Sequence, residues 1–140
     1  MKIMAVDYGE ARTGLAMCDA FEMLASPLTT IKEKSTEKTI EKIVQAVDEN
    51  KVEMLVVGHP LNMNGTVGER AQKCAQVAEK LKEKLSIPVV LWDERATTKS
   101  AQNILSTTGT YGKKRKGVLD AVAATIILEN YMAYRKNNKE

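Results

Sequence analysis

The sequence is poor in aromatic residues, cysteine, histidine and proline. Phe, Trp and Tyr make up only 4% of it, so the core must be built from Ala, Val, Ile, Leu and Met. The two cysteines, Cys18 and Cys74, lie in apolar surroundings without CxxC spacing. That speaks against a thiolate metal site and a disulfide framework, and leaves two buried, reduced thiols. A single histidine, His59, excludes a histidine metal cluster. No apolar run approaches the ~18 residues of a membrane span. The amino-terminus reads as a strand ending in an acid, not as a basic segment followed by an apolar stretch, so no signal peptide is expected. A cytoplasmic location and no membrane partner follow as expectations.

What is present is ordinary for a soluble α/β domain: 140 residues, 44% hydrophobic and 28% charged. One domain over residues 1–134 is expected, with 135–140 as a charged tail. The net charge of +3 is a weak pointer to a polyanionic partner. Its distribution says more. Lys113, Lys114, Arg115 and Lys116 form one unbroken basic run, whereas Glu33 to Glu53 mixes both signs like a solvated helix face.

The hydrophobic pattern changes period along the chain. Short apolar runs at Ile3–Val6 and Gly14–Met17, joined by turn-forming residues, predict a hairpin. Ala25–Ile31, with Pro27 near its start, predicts a third strand, at an edge. Ile40, Ile43, Val44 and Val47 then fall on one helical stripe, with Ser35 or Thr36 as the cap. Met54–Val57 reads as a buried parallel strand, Asn62–Gly68 as a loop, and Glu69–Leu85 as a helix. Pro88–Trp92 is the fifth strand. A helix from Thr97 or Thr98 to Leu105, a basic loop over Ser106–Lys116 and a last helix over Val118–Tyr134 complete the order. An antiparallel three-strand meander leading into α/β crossovers predicts a mixed five-stranded sheet with helices packed on it.

Carboxylates stand at the ends of these elements. Asp7 ends the first strand, Asp93 and Glu94 end the fifth, and Asp120 falls in the first turn of the last helix. Sites in open α/β sheets form beyond the carboxyl ends of the strands. If the first, fourth and fifth strands are parallel neighbours, Asp7 and Glu94 converge there, with Asp120 above them. Such a cluster needs a hard cation, Mg²⁺ or Mn²⁺, and two such ions suit phosphodiester hydrolysis. Plainer readings stay open at this level. Asp7 is also a turn residue before Gly9, Asp120 also opposes a helix macrodipole, and Asp93 or Glu94 could pair with Arg95 or Arg12.

Four segments carry a resemblance: AVDYGEARTGLA (Ala5 to Ala16), VVGHPLNMNGT (Val56 to Thr66) with Glu69-Arg70-Ala71 after it, LWDERATTKSA (Leu91 to Ala101) and KGVLDAVAATIIL (Lys116 to Leu128). In this order, over nearly the whole chain, they resemble the YqgF/RuvX family of nucleases. The resemblance implies an RNase H-like fold, shared with Holliday-junction resolvases, and metal-dependent cleavage of phosphodiesters in nucleic acid. The substrate it implies is the 5′ end of the small-subunit rRNA precursor in ribosome biogenesis, or a branched DNA. Catalytic roles then fall on Asp7, Glu94 and Asp120, with Asp93 as a further metal ligand. The nucleic-acid contacts expected are Arg12, Asn62, Arg95 and Lys113 to Lys116, and the partners are nucleic acid and ribosomal particles. The protein would act as a monomer or homodimer. His59 departs from the family, which usually has an apolar residue between the glycine and proline of that motif. As a loop residue it is either solvent-facing or a phosphate contact.

Two other readings compete. Asp7-x-Gly9-x4-Gly14 also resembles the first phosphate loop of sugar kinases and actin-like ATPases, but those close two such domains around ATP. A nucleic-acid-binding protein that has lost catalysis is the third possibility, against which the intact acidic positions argue.

Overall fold

The computed structural model describes residues 1–62, 64–94 and 112–137, of which 112–119 are described in backbone only. The elements are β1 (Ile3–Asp7), β2 (Arg12–Cys18), β3 (Ala25–Lys32), α1 (Thr36–Asn50), β4 (Met54–His59), α2 (Glu69–Lys84), β5 (Val89–Asp93) and α3 (Gly112–Asn137).

The strands form one mixed sheet in the order β3-β2-β1-β4-β5. The meander β1–β2–β3 is antiparallel, and β4 and β5 run parallel to β1. The expected sheet and the parallel trio are therefore present. β1 is central and buried on both faces, so its residues are apolar without alternation up to Asp7. Met4 and Val6 face a core shared with Ile40 and Ile43 of α1 and Cys74, Val77 and Leu81 of α2. Ile3 and Ala5 face a second core with Ala124, Ile127, Leu128 and Tyr131 of α3. The sheet is thus the middle of three layers, and both cysteines are buried free thiols.

Local signals set the helix starts. Ser35 is the N-cap of α1, its Oγ accepting from the Lys38 N–H at 3.3 Å. Among the described residues no helix is long and apolar enough to cross a membrane.

The last helix differs from expectation at both ends. It begins at Gly112, not Val118, so the basic run is helical rather than loop. Lys and Arg are good helix formers, and a glycine at 117 costs only about 1 kcal/mol inside a helix. At the other end the helix continues to Asn137, where frayed tail was expected from Arg135. Arg135 Nε donates to Glu22 Oε1 at 3.0 Å, tying the helix to the β2–β3 turn. The helix expected over Thr97–Leu105 lies outside the described residues.

Candidate active site

The pleat decides where the acids go. Side chains alternate along a strand, so Asp7 continues the Ile3–Ala5 face, toward α3. Gly58 lies on the same face of β4, between β1 and β5. A Cβ at Gly58 would stand 3.0 Å from Glu94 Oε2 and 2.7 Å from Ile127 Cδ1. The missing side chain therefore leaves room for the Glu94 carboxylate over β4, on the Asp7 side. Burial pushes the Asp7 carboxyl up to about 6; Arg70 opposes this and Asp120 adds to it. Burial likewise raises Glu94 to about 7, with repulsion from Asp7 and Asp93 and partial relief from Arg70. The acids at the ends of β1 and β5 thus feel each other's charge.

Asp120 reaches this edge from above. Counting from Gly112 it lies in the third turn of α3, too far along to be explained as a first-turn acid opposing the macrodipole. Gly14, paired with Asp7 in the sheet, makes the approach possible. A Cβ there would run into the Asp120 carbonyl oxygen. Arg12, at the start of β2, places Nε 3.3 Å from Asp120 Oδ2. That contact is an ion pair without hydrogen-bond geometry, and Oδ2 is otherwise buried with no hydrogen-bond partner among the described residues. Arg12 therefore has a structural ion pair, one of its two expected roles.

The residue that sequence reasoning passed over is Arg70. It stands in the first turn of α2, and its Nη2 is 3.5 Å from Asp7 Oδ1. Only its place in the Glu69-Arg70-Ala71 segment marked it, and nothing in that segment shows which acid it meets.

Asn62 does not join the cluster. Asn62 donates from Nδ2 to Thr66 Oγ1 at 2.9 Å, and Asn64 Oδ1 accepts from Thr66 at 2.7 Å, so both amides are engaged in shaping their own loop. His59 is the last residue of β4 and not a solvent-facing loop residue: it is half-buried, in register with Asp93, and its Nε2 is buried without a hydrogen-bond partner among the described residues. Arg95 lies outside the described residues. Lys113, Lys114, Arg115 and Lys116 are placed by backbone alone, one to two turns before Asp120.

A protein-family model described as "RuvX: Holliday junction resolvase" matches residues 1–134. The chain belongs to the RuvX family. A relative from Thermoanaerobacter pseudethanolicus is 46% identical over 138 residues, covering 98% of this chain and 99% of its own. Another, from Syntrophus aciditrophicus, is 42% identical over 132 residues, covering 94% and 88%. Both carry the name "Putative pre-16S rRNA nuclease". Among solved structures, Thermus thermophilus RuvC in complex with a Holliday junction substrate superposes with a TM-score of 0.62 at 13% identity, covering 97% of this chain and 96% of that one. The fowlpox virus resolvase in complex with Holliday junction DNA gives 0.58 at 11% identity, covering 96% and 98%. At these identities the likeness shows a shared fold, the RNase H-like fold of the RuvX chain.

The site suits a divalent cation in the kind of its donors. Asp7 and Glu94 are hard oxygen ligands that burial makes costly to ionise, and Asp120 Oδ2 is a buried acceptor without a hydrogen bond. Among the described residues no three carboxylate, imidazole or thiol groups already close on one point. The three acids face one edge, with arginines against two of them.

Proposed function

We propose that this RuvX-family protein is a hydrolase that cleaves phosphodiester bonds in nucleic acid, with residues 1–134 as one nuclease domain, and that it trims the 5′ end of pre-16S rRNA during ribosome biogenesis in the cytoplasm. The observation that carries the chemistry is the Glu94 carboxylate lying over the bare backbone of Gly58 within reach of the Asp7 charge, each acid made hard to ionise by burial. The names of the full-length relatives support the RNA substrate. Asp7, Glu94 and Asp120, with Asp93 beside them, would hold Mg²⁺ or Mn²⁺. When bound, two such ions supply an activated water and stabilise the leaving oxygen. The chain's own part is to present negative charge at a partly dry sheet edge, where attraction for a cation is stronger than in water. The basic run Lys113 to Lys116, with Arg95, would grip the phosphate backbone and fix its register.

Resolution of a branched DNA junction is the second reading, supported by the family description and by the substrates in the RuvC and fowlpox complexes. A junction has two strands to cut, so that reading calls for a homodimer, whereas RNA trimming needs only one site.

The test uses end-labelled structured RNA, single-stranded DNA and a four-way DNA junction, each with Mn²⁺, Mg²⁺ or EDTA. Asp7→Asn protein controls for contaminating nuclease. Metal-dependent cleavage lost in the variant is expected, with RNA cut fastest. A preference for the junction would favour the second reading. Equal cleavage by wild type and variant would overturn both.

A further inference from the structure

Arg70 occupies the position of a cation in the acidic site. Its charge relieves both Asp7 and Glu94. Yet the contact is loose: Nη2 to Asp7 Oδ1 is 3.5 Å, and the Arg70 side chain is 63% exposed against 13% for Asp7. The acid is largely buried while the guanidinium reaches into solvent. A guanidinium stays charged in proteins, so it cannot share a carboxylate with a divalent cation by losing a proton. A divalent cation on Asp7 would repel it at close range, which favours its swinging away.

The space it would enter is visible. Arg70 lines a groove of about 700 Å³ with residues of the β1–β2 loop, Glu69, Lys73 and Asp120. Lys73, three residues on and so on the same helical face, makes no ion pair among the described residues. Glu10 and Glu69 also border the groove, so it is not basic as it stands. Arg12 also lines the groove but is paired with Asp120, so a phosphate there would draw on the guanidinium that Asp7 otherwise holds, which matches a phosphate's oxygens in pairs.

We propose that Arg70 is an exchangeable counter-cation: it neutralises the acidic pair in the absence of metal, is released when a divalent ion binds Asp7 and Glu94, and then holds a nucleic-acid phosphate in the groove beside α2. This rests on the reading that Asp7 and Glu94 bind the ion. It couples the two ligands, because metal binding frees the group that binds phosphate.

Two binding measurements test it without relying on cleavage. Mn²⁺ is titrated calorimetrically into wild type, Arg70→Gln and Arg70→Lys with no nucleic acid present. The glutamine variant is expected to bind Mn²⁺ roughly two- to fivefold more tightly, the order of a partly exposed ion pair removed, and the lysine variant about as wild type. At saturating Mn²⁺, adenosine 5′-monophosphate, which has no internal phosphodiester to cut, is expected to bind Arg70→Gln several-fold more weakly. Circular dichroism of the variants should match wild type, since Arg70 is exposed. Unchanged or weaker Mn²⁺ binding by Arg70→Gln overturns the exchange, as does tighter Mn²⁺ binding with unchanged mononucleotide affinity; in both cases the nuclease reading stands. Wild-type protein that binds no Mn²⁺ overturns the exchange together with the metal-site reading beneath it.

Discussion

Arg12 Nε and Asp120 Oδ2 lie 3.3 Å apart, joining the first residue of β2 to the third turn of α3. Both side chains are part-exposed, so the pair is worth about 0.5–1 kcal/mol. A double-mutant cycle of Arg12→Ala and Asp120→Asn in urea is expected to return a coupling energy of that size, falling as salt is raised. No coupling would mean that the two side chains are neighbours without interaction.

Asp7→Asn is expected to stabilise the fold at neutral pH. The Asp7 carboxyl ionises near 3.8 when unfolded and about 6 in the fold. The folded state therefore binds more protons between those values, and stability falls as pH rises through that window. At 1.36 kcal/mol per pH unit the loss is about 2–3 kcal/mol. Asparagine removes it, so the variant should exceed wild type by about that amount at pH 7.5 and match it near pH 3.5. Urea melts at the two pH values check this. A less stable variant at pH 7.5 would mean that the Arg70 contact outweighs burial.

Cation affinity should carry the same signature with the opposite slope. The metal needs both acids ionised, and protons compete for them at about 6 for Asp7 and about 7 for Glu94. Lowering pH from 8 to 6 is expected to weaken Mn²⁺ binding at least about tenfold, and EDTA should abolish cleavage at every pH. An affinity flat across that range would show that these two acids are not the ligands.

Gly14→Ala tests how closely α3 must approach. Its Cβ has no space against the Asp120 carbonyl, which is helix backbone and cannot turn aside. The expected cost is about 1–3 kcal/mol, as for other overpacked sites, together with loss of cleavage as Asp120 is pushed from the edge. Gly58→Ala meets movable side-chain ends, Glu94 Oε2 and Ile127 Cδ1. It should cost less stability while still displacing Glu94 and reducing activity. Chemical denaturation alongside cleavage rates separates the two. Activity retained in Gly58→Ala would remove Glu94 from the site.

The strand pattern was open to reading because strand burial is local: the apolar run of β1 stops at Asp7, and that of β5 runs into Asp93 and Glu94. The start of α3 was misread because a run of lysines and arginine looks like loop when only polarity is weighed, although those residues favour helix. Asn62 carries the marks of both a contact residue and a turn former, and only its bonds to Thr66 separate the two.

Local sequence was enough for the order of the described elements, the aliphatic core, the acids at the strand ends and the family to which the chain belongs. The tertiary structure decided which of those acids share an environment. It laid Glu94 over the bare Gly58 within reach of the Asp7 charge, and let α3 press its Asp120 turn onto Gly14. It also set Arg70 against Asp7, a residue 63 positions away. The reason is physical: periodicity records which face of an element is buried, whereas the pairing of charges depends on long-range closeness and on water being excluded, and neither is encoded in local spacing.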